Sequence, residues 1–154
     1  MSGEKLLIRV ATESDLHTAY KLMAELGYPD LSLARFTPIY NSVLTHSAMT
    51  LIVAEGSDGD VLGLASISRR PQLRLTADLI TIDELVVADR ARGRGVGRAL
   101  LEHVKSMAQD TGARRLELET NRARESYRRG FYAKNGFTEA YSAVMRIDFN
   151  APKD

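Results

Sequence analysis

Three glycines at alternate positions, Gly93, Gly95 and Gly97, are interleaved with Arg92, Arg94 and Arg98 in the stretch ADRARGRGVGRALLEHV, residues 88–104. An apolar pattern of helical period follows at once. The first N–H groups of a helix have no intrahelical partner and point outward. The aligned peptide dipoles add partial positive charge there. Glycines let the backbone come close to a ligand and take up positive φ where the loop curls. A strand ending in Val86-Val87, then glycines at a helix start, is a place for an anion, and a phosphate or diphosphate suits it. The arginine side chains have two readings, phosphate contact or solvated surface charge.

Other phosphate motifs fail. The nucleoside-triphosphate loop needs a glycine followed by Lys and Ser or Thr, and no such trio exists here. The dinucleotide fingerprint needs a third glycine where Arg98 stands.

The elements that must position this loop follow from periodicity. Residues 79–87 are the strongest strand, and residues 95–111 a helix burying Val96, Ala99, Leu100, Val104, Met107 and Ala108 before Gly112. A strand over 116–118 follows, so a right-handed crossover between parallel strands is expected. Upstream, a strand at 6–10 leads to a capping-box start, Thr12 with Asp15, and a helix stopped by Gly27 and Pro29. A less regular helix covers about 31–44. Strands at 50–54 and 61–68 flank the turn at 56–60. Residues 69–78 read as a loop or a ragged hairpin end. Residues 126–135 read as a helix closed by Gly136, and 137–149 as one or two strands. Helices covering both faces of a mainly antiparallel sheet are the economical arrangement.

Composition sets outer limits. The 154 residues are most simply a single domain, residues 1–154, with a net charge of +1. No global field recruits nucleic acid or a membrane. Cysteine is absent, so thiolate chemistry and thiolate-bound metal are excluded, and the three histidines are scattered. No metal is expected. Without a signal-like apolar core or a run of about 18 apolar residues, a cytoplasmic protein is expected.

Arg92-Gly93-Arg94-Gly95-Val96-Gly97 fits a (Gln/Arg)-x-x-Gly-x-(Gly/Ala) signature. It resembles the diphosphate loop of the GNAT superfamily of acetyl-CoA-dependent N-acetyltransferases. Residues 80–104 are similar to that family's central strand, loop and helix throughout. Residues 131–137, FYAKNGF, resemble its Phe-Tyr-x-x-x-Gly-Phe segment.

The resemblance implies an α/β (α+β) GNAT fold. That fold has a mixed, mostly antiparallel sheet of six to seven strands, with a central parallel pair splayed around acetyl-CoA. It implies an acyltransferase that moves acetyl from acetyl-CoA to a primary amine by direct attack. A non-catalytic acyl-CoA sensor of the same fold is the alternative. Leu85, Val86 and Val87 match the strand that pairs with the pantetheine arm. Gly93, Arg94, Gly95, Val96, Gly97 and Arg98 match the diphosphate loop, with Arg92 at its start. Asn121 matches an asparagine beside the arm. Tyr132 matches the tyrosine near the sulfur, where a phenol of reference pKa about 10 could protonate the thiolate.

Glu84 is the leading base, because a carboxylate inside an apolar central strand is costly unless paired or useful. Strand alternation puts Glu84 and Val86 on one face and Asp83, Leu85 and Val87 on the other. An ion pair of Glu84 or Asp83 with an arginine, or a water chain as base, stays open. The expected partner is a small-molecule or peptide amine, with no nucleic acid or membrane, and a homodimer is admitted. Gly27, Tyr28, Pro29, Tyr40, residues 69–74 and Tyr141 are candidates to shape the acceptor site. Acidic Glu25 and Asp30 would favour a cationic acceptor, and Arg69, Arg70 and Arg74 an anionic one.

Overall fold

The computed structural model describes residues 3–28 and 30–149; Pro29 lies outside them. Two compact units divide the chain, Met1–Glu119 and Thr120–Asp154.

In the first unit β1 (Leu7–Val10), β2 (Met49–Glu55), β3 (Val61–Gln72), β4 (Ala77–Val87) and β5 (Arg115–Leu118) form one sheet in sequence order. The first three pairings are antiparallel, and β4 and β5 run parallel. Three helices are α1 (Leu16–Glu25), α2 (Leu33–Thr45) and α3 (Val96–Asp110). Strand register puts Leu51, Leu64, Ser66 and Glu84 on one face, where residues of α1 and α2 join them. The opposite face carries α3. Gly63 lets that helix close on the sheet, because a Cβ there would stand 2.9 Å from the Val86 carbonyl oxygen and 3.0 Å from Val96 Cγ1. Ile52, Leu62, Ile67, Leu79, Ile80, Leu100 and Leu101 are fully buried.

The start of α1 is pinned by charge. Asp15 accepts from the Thr12 N–H at 2.9 Å and from Arg9 Nη1 and Nη2 at 2.8 and 3.0 Å. Arg9 Nε donates to Glu55 at 2.7 Å, which ties β1, α1 and β2 together. The Arg9 hydrogen bonds outweigh burial and hold Asp15 below the usual carboxylate range.

Three expectations change. Of the two readings of residues 69–78 the hairpin end holds and the loop does not: β3 runs on to Gln72 opposite Ala77, with Pro71 opposite Asp78 and Arg69 Nε 2.6 Å from Asp78 Oδ2. The chain reverses through a single turn that leaves Thr76 at φ 51°. The sheet has five strands among the described residues rather than six or seven. Residues 137–149 form no strand, and Tyr141, Val144, Met145, Ile147 and Phe149 are exposed. Alternation marks a segment as fit for pairing, but an edge must be beside it to supply hydrogen bonds.

In the second unit, the helix expected at 126–135 is broken in two, α4 (Glu125–Arg128) and α5 (Phe131–Lys134). Gly130 sits between them at φ 70°, which cannot continue a right-handed helix.

Candidate active site

The last strand pairing of the sheet sets the geometry. β5 ends at Leu118, opposite Ile82, so β4 continues through residues 83–87 with no described strand on that side. Leu85, Val86 and Val87 lie on this unaccompanied stretch. At the same point β4 bulges. Ile67 opposes Ile82 and Ser66 opposes Glu84, so Asp83 is an extra residue in β4. A bulge breaks the strict alternation of a strand. The carboxylate of Asp83 therefore lies under the influence of the Ser68 hydroxyl and Arg70, both on the face that Ser66 shares. Asp83 and Glu84 project to the same face, not to opposite ones as alternation alone requires.

Both carboxylates titrate above the usual range. For Glu84 the main cause is burial; the Asp83 charge adds to it, and the Ser66 hydroxyl opposes it. Loss of water also raises Asp83, against the pull of Ser68 and Arg70. Among the described residues no cation pairs with Glu84. A half-buried carboxylate with a raised pKa binds a proton more readily than an exposed one, which suits it to proton transfer.

Glu84 opens into a cleft of about 90 Å³ between the sheet and the first two helices. Met23, Phe36, Ile39, Val43, Leu51 and Leu64 supply its apolar wall, and Ser66 and Tyr40 are the other polar residues. Phe36, Ile39, Tyr40 and Val43 fall at i, i+3, i+4 and i+7, one face of α2. The Tyr40 hydroxyl is committed, donating to the Thr12 carbonyl at 2.7 Å. Burial, with the Asp15 charge beside it, pushes that phenol up to about 12.

From Glu84 to the end of β4 is about 10 Å of strand. A turn at 89–91 then leads to the loop. Gly93 and Gly95 take φ values of 75° and 84°, and a Cβ at either would stand in open space. The first intrahelical bond runs from the Ala99 N–H to the Gly95 carbonyl at 3.0 Å. The N–H groups of Val96, Gly97 and Arg98 precede it and have no acceptor within the helix. Left-handed glycines with clear space before free amides fit a diphosphate. The flanking arginines are engaged elsewhere: Arg92 with Asp89 at 2.9 Å and Arg94 with Glu4 at 2.5 Å. Both arginines are about half exposed, so these pairs are weak and exchangeable.

In the second unit the Tyr132 ring makes edge contacts with Phe131 and Phe137, with centroids 5.1 and 6.2 Å away. Among the described residues its hydroxyl has no hydrogen-bond partner. Asn121 turns its side chain inward on its own loop, Oδ1 accepting from the Ala123 N–H at 2.8 Å. Tyr127 donates to Glu139 at 2.5 Å, Arg122 pairs with the same carboxylate, and Arg129 lies over the Phe131 ring.

Residues 8–137 match the model of the acetyltransferase (GNAT) family. The chain belongs to that family. A streptothricin acetyltransferase from Streptomyces lavendulae is 36% identical over 92 residues, 57% of this chain and 47% of the relative. The match thus spans about half the length of that relative. An aminoalkylphosphonate N-acetyltransferase from Salmonella typhimurium is 29% identical over 134 residues, 87% of this chain and 86% of the relative. The fold is shared with an aminoglycoside N-acetyltransferase solved in complex with CoA. That pair gives a TM-score of 0.81 at 19% identity, covering 96% of this chain and 97% of the other.

Among the sequence-predicted residues of this GNAT chain, the first unit brings together Glu84, the 85–87 stretch and the loop 92–98 on one strand–loop–helix segment. Glu25 is not free for an acceptor, since its Oε2 takes the Asp89 N–H at 3.0 Å. Arg69 is paired with Asp78. Among the described residues, no group of three or more His, Asp or Glu side chains could hold a metal ion. No described helix is long and apolar enough to cross a membrane.

Sequence reasoning missed Ser66, Met23 and Phe36. Ser66 had one available signal, as a hydroxyl in the otherwise apolar run Val61–Ile67.

Proposed function

We propose that this chain transfers acetyl from acetyl-CoA to a primary amine held at Glu84. The carrying observation is the bulged, half-buried Glu84, facing an apolar cleft on the strand that leads directly into the glycine loop. The relatives named above act on amine-bearing small molecules, which supports an amine acceptor. The diphosphate would take N–H bonds from the start of α3, and the acyl arm would lie along residues 85–87.

An ammonium ion is no nucleophile, so Glu84 first takes its proton. The amine nitrogen then bonds the acetyl carbon, the carbon–sulfur bond breaks, and the nitrogen sheds its second proton to solvent, which restores the proton the thiolate's acid gives up. Tyr132 is our choice to protonate the departing thiolate, on the strength of its FYAKNGF motif. A half-buried carboxylate of raised pKa suits the first step, because it is a stronger base than an exposed one.

The family match runs through both units, which supports reading them as one domain. We also propose a cytoplasmic location, to be read by cell fractionation. A homodimer is supported by the exposed apolar residues between 141 and 149 and is to be read by sedimentation equilibrium.

The test is release of free CoA thiol from acetyl-CoA across a panel of amines. Turnover with at least one amine is expected. Binding of acetyl-CoA without turnover of any amine would instead make this chain an acyl-CoA sensor.

A further inference from the structure

The cleft above Glu84 has a chemistry of its own. Its wall comes from two helices and three strands, and among the described residues it is apolar except for three groups. The Tyr40 hydroxyl is spent on the Thr12 carbonyl. The Ser66 hydroxyl faces Glu84. Among the described residues Glu84 is the single ionisable carboxylate in the lining, and no Arg, Lys or His lines it. A phosphate or phosphonate on the acceptor would meet no cation among the described residues there and would face Glu84. Sugar hydroxyls would lose water and gain no donor, which is costly. An aliphatic group loses nothing and gains burial.

Size narrows the class. The volume is about 90 Å³. A dry apolar cavity of about 150 Å³ takes a benzene ring, and a water occupies about 30 Å³ in the liquid. The cleft is open on its outer side, and its enclosed part therefore matches roughly three to four carbon-sized groups.

We propose that the acceptor is a primary amine on a short aliphatic group of about three to four carbons, with its nitrogen at Glu84 and its hydrocarbon between α1 and α2. This rests on the reading that the chain acetylates an amine. The step balances as before: the first ammonium proton goes to Glu84, nitrogen bonds the acetyl carbon and sheds its second proton, and sulfur leaves and takes one.

The experiment compares kcat/KM for ethylamine, propylamine, butylamine, ethanolamine, 2-aminoethylphosphonate and benzylamine. The expected result is a rise of about fourfold per added methylene from ethylamine to butylamine. Ethanolamine, 2-aminoethylphosphonate and benzylamine should fall below butylamine. Ile39 is 65% exposed at the rim, so Ile39→Asp should fold normally and flatten the alkyl series. A flat series in the parent, or a phosphonate or hydroxyl amine ahead of butylamine, overturns the proposal. If no amine releases thiol, acetyl transfer itself is wrong. Titration of the Met23 methyl NMR signal then still decides the cleft. Shifts with butylammonium and none with ethanolammonium support it, and equal shifts refute it.

Discussion

At the scale of single residues, most weight falls on Glu84. Its environment penalises charge, so its raised pKa makes a definite statement about stability. A carboxylate whose folded pKa lies above its unfolded one contributes stability at low pH, and that contribution is lost as pH rises through the folded value. Glu84→Gln should therefore leave the fold at least as stable as the parent at neutral pH, with the difference growing as pH rises. The same variant should lose about 10²- to 10⁴-fold in kcat. Its pH–rate profile should lose the acid limb that the parent shows above the ordinary carboxylate range. Chemical denaturation and the pH dependence of kcat read the two effects separately. A parent-like pH profile in the variant would assign the proton to another group.

Asp15 works the opposite way. Its pKa is depressed by Arg9, so its contribution is full above the unfolded value and is lost as pH falls through the folded one. Arg9→Met should cost about 2–3 kcal/mol at pH 7, because it strands the buried Asp15 carboxylate. The loss should shrink toward pH 3. Urea midpoints at the two pH values test this, and equal losses at both would contradict it.

At the scale of elements, the loop and α3 act as one device. Gly95 starts the helix at φ 84° with open space where a Cβ would be. Within the protein, then, only its backbone angle demands glycine, at about 1–2 kcal/mol for another residue. Gly95→Ala should show that cost and little more in a thermal melt. Gly95→Asp should add the repulsion of a carboxylate against a diphosphate and weaken CoA binding about a hundredfold or more by calorimetry. Equal affinity for CoA in the Asp variant and the parent would remove the loop from the site.

This device was also the most legible part of the sequence, because glycine spacing and helical period are local signals. The expected apolar face of α3 largely holds, with Leu101 fully buried and Ala99 and Met107 only partly so. The bulge was not legible. Nothing in Asp83-Glu84 distinguishes a regular strand from a bulged one, since the register is set against β3, across a long hairpin. Ser66 and the α2 face were hidden for the same reason: their meaning comes from the strand and helix they meet.

At the scale of the whole molecule, a net charge of +1 and the apolar cleft proposed for the acceptor predict recognition by shape and burial rather than by a global field. The tail from 138 to 149 shows the limit of pattern. Its alternation suits a strand, yet its large apolar residues stand exposed, because alternation specifies a face and not a partner. The most direct measurement is a crystal structure of the chain with CoA and butylamine. The diphosphate is predicted against the N–H groups of residues 93–98, with the amine nitrogen within about 3 Å of a Glu84 oxygen. A diphosphate bound away from the start of α3, or an amine seated far from Glu84, would contradict it.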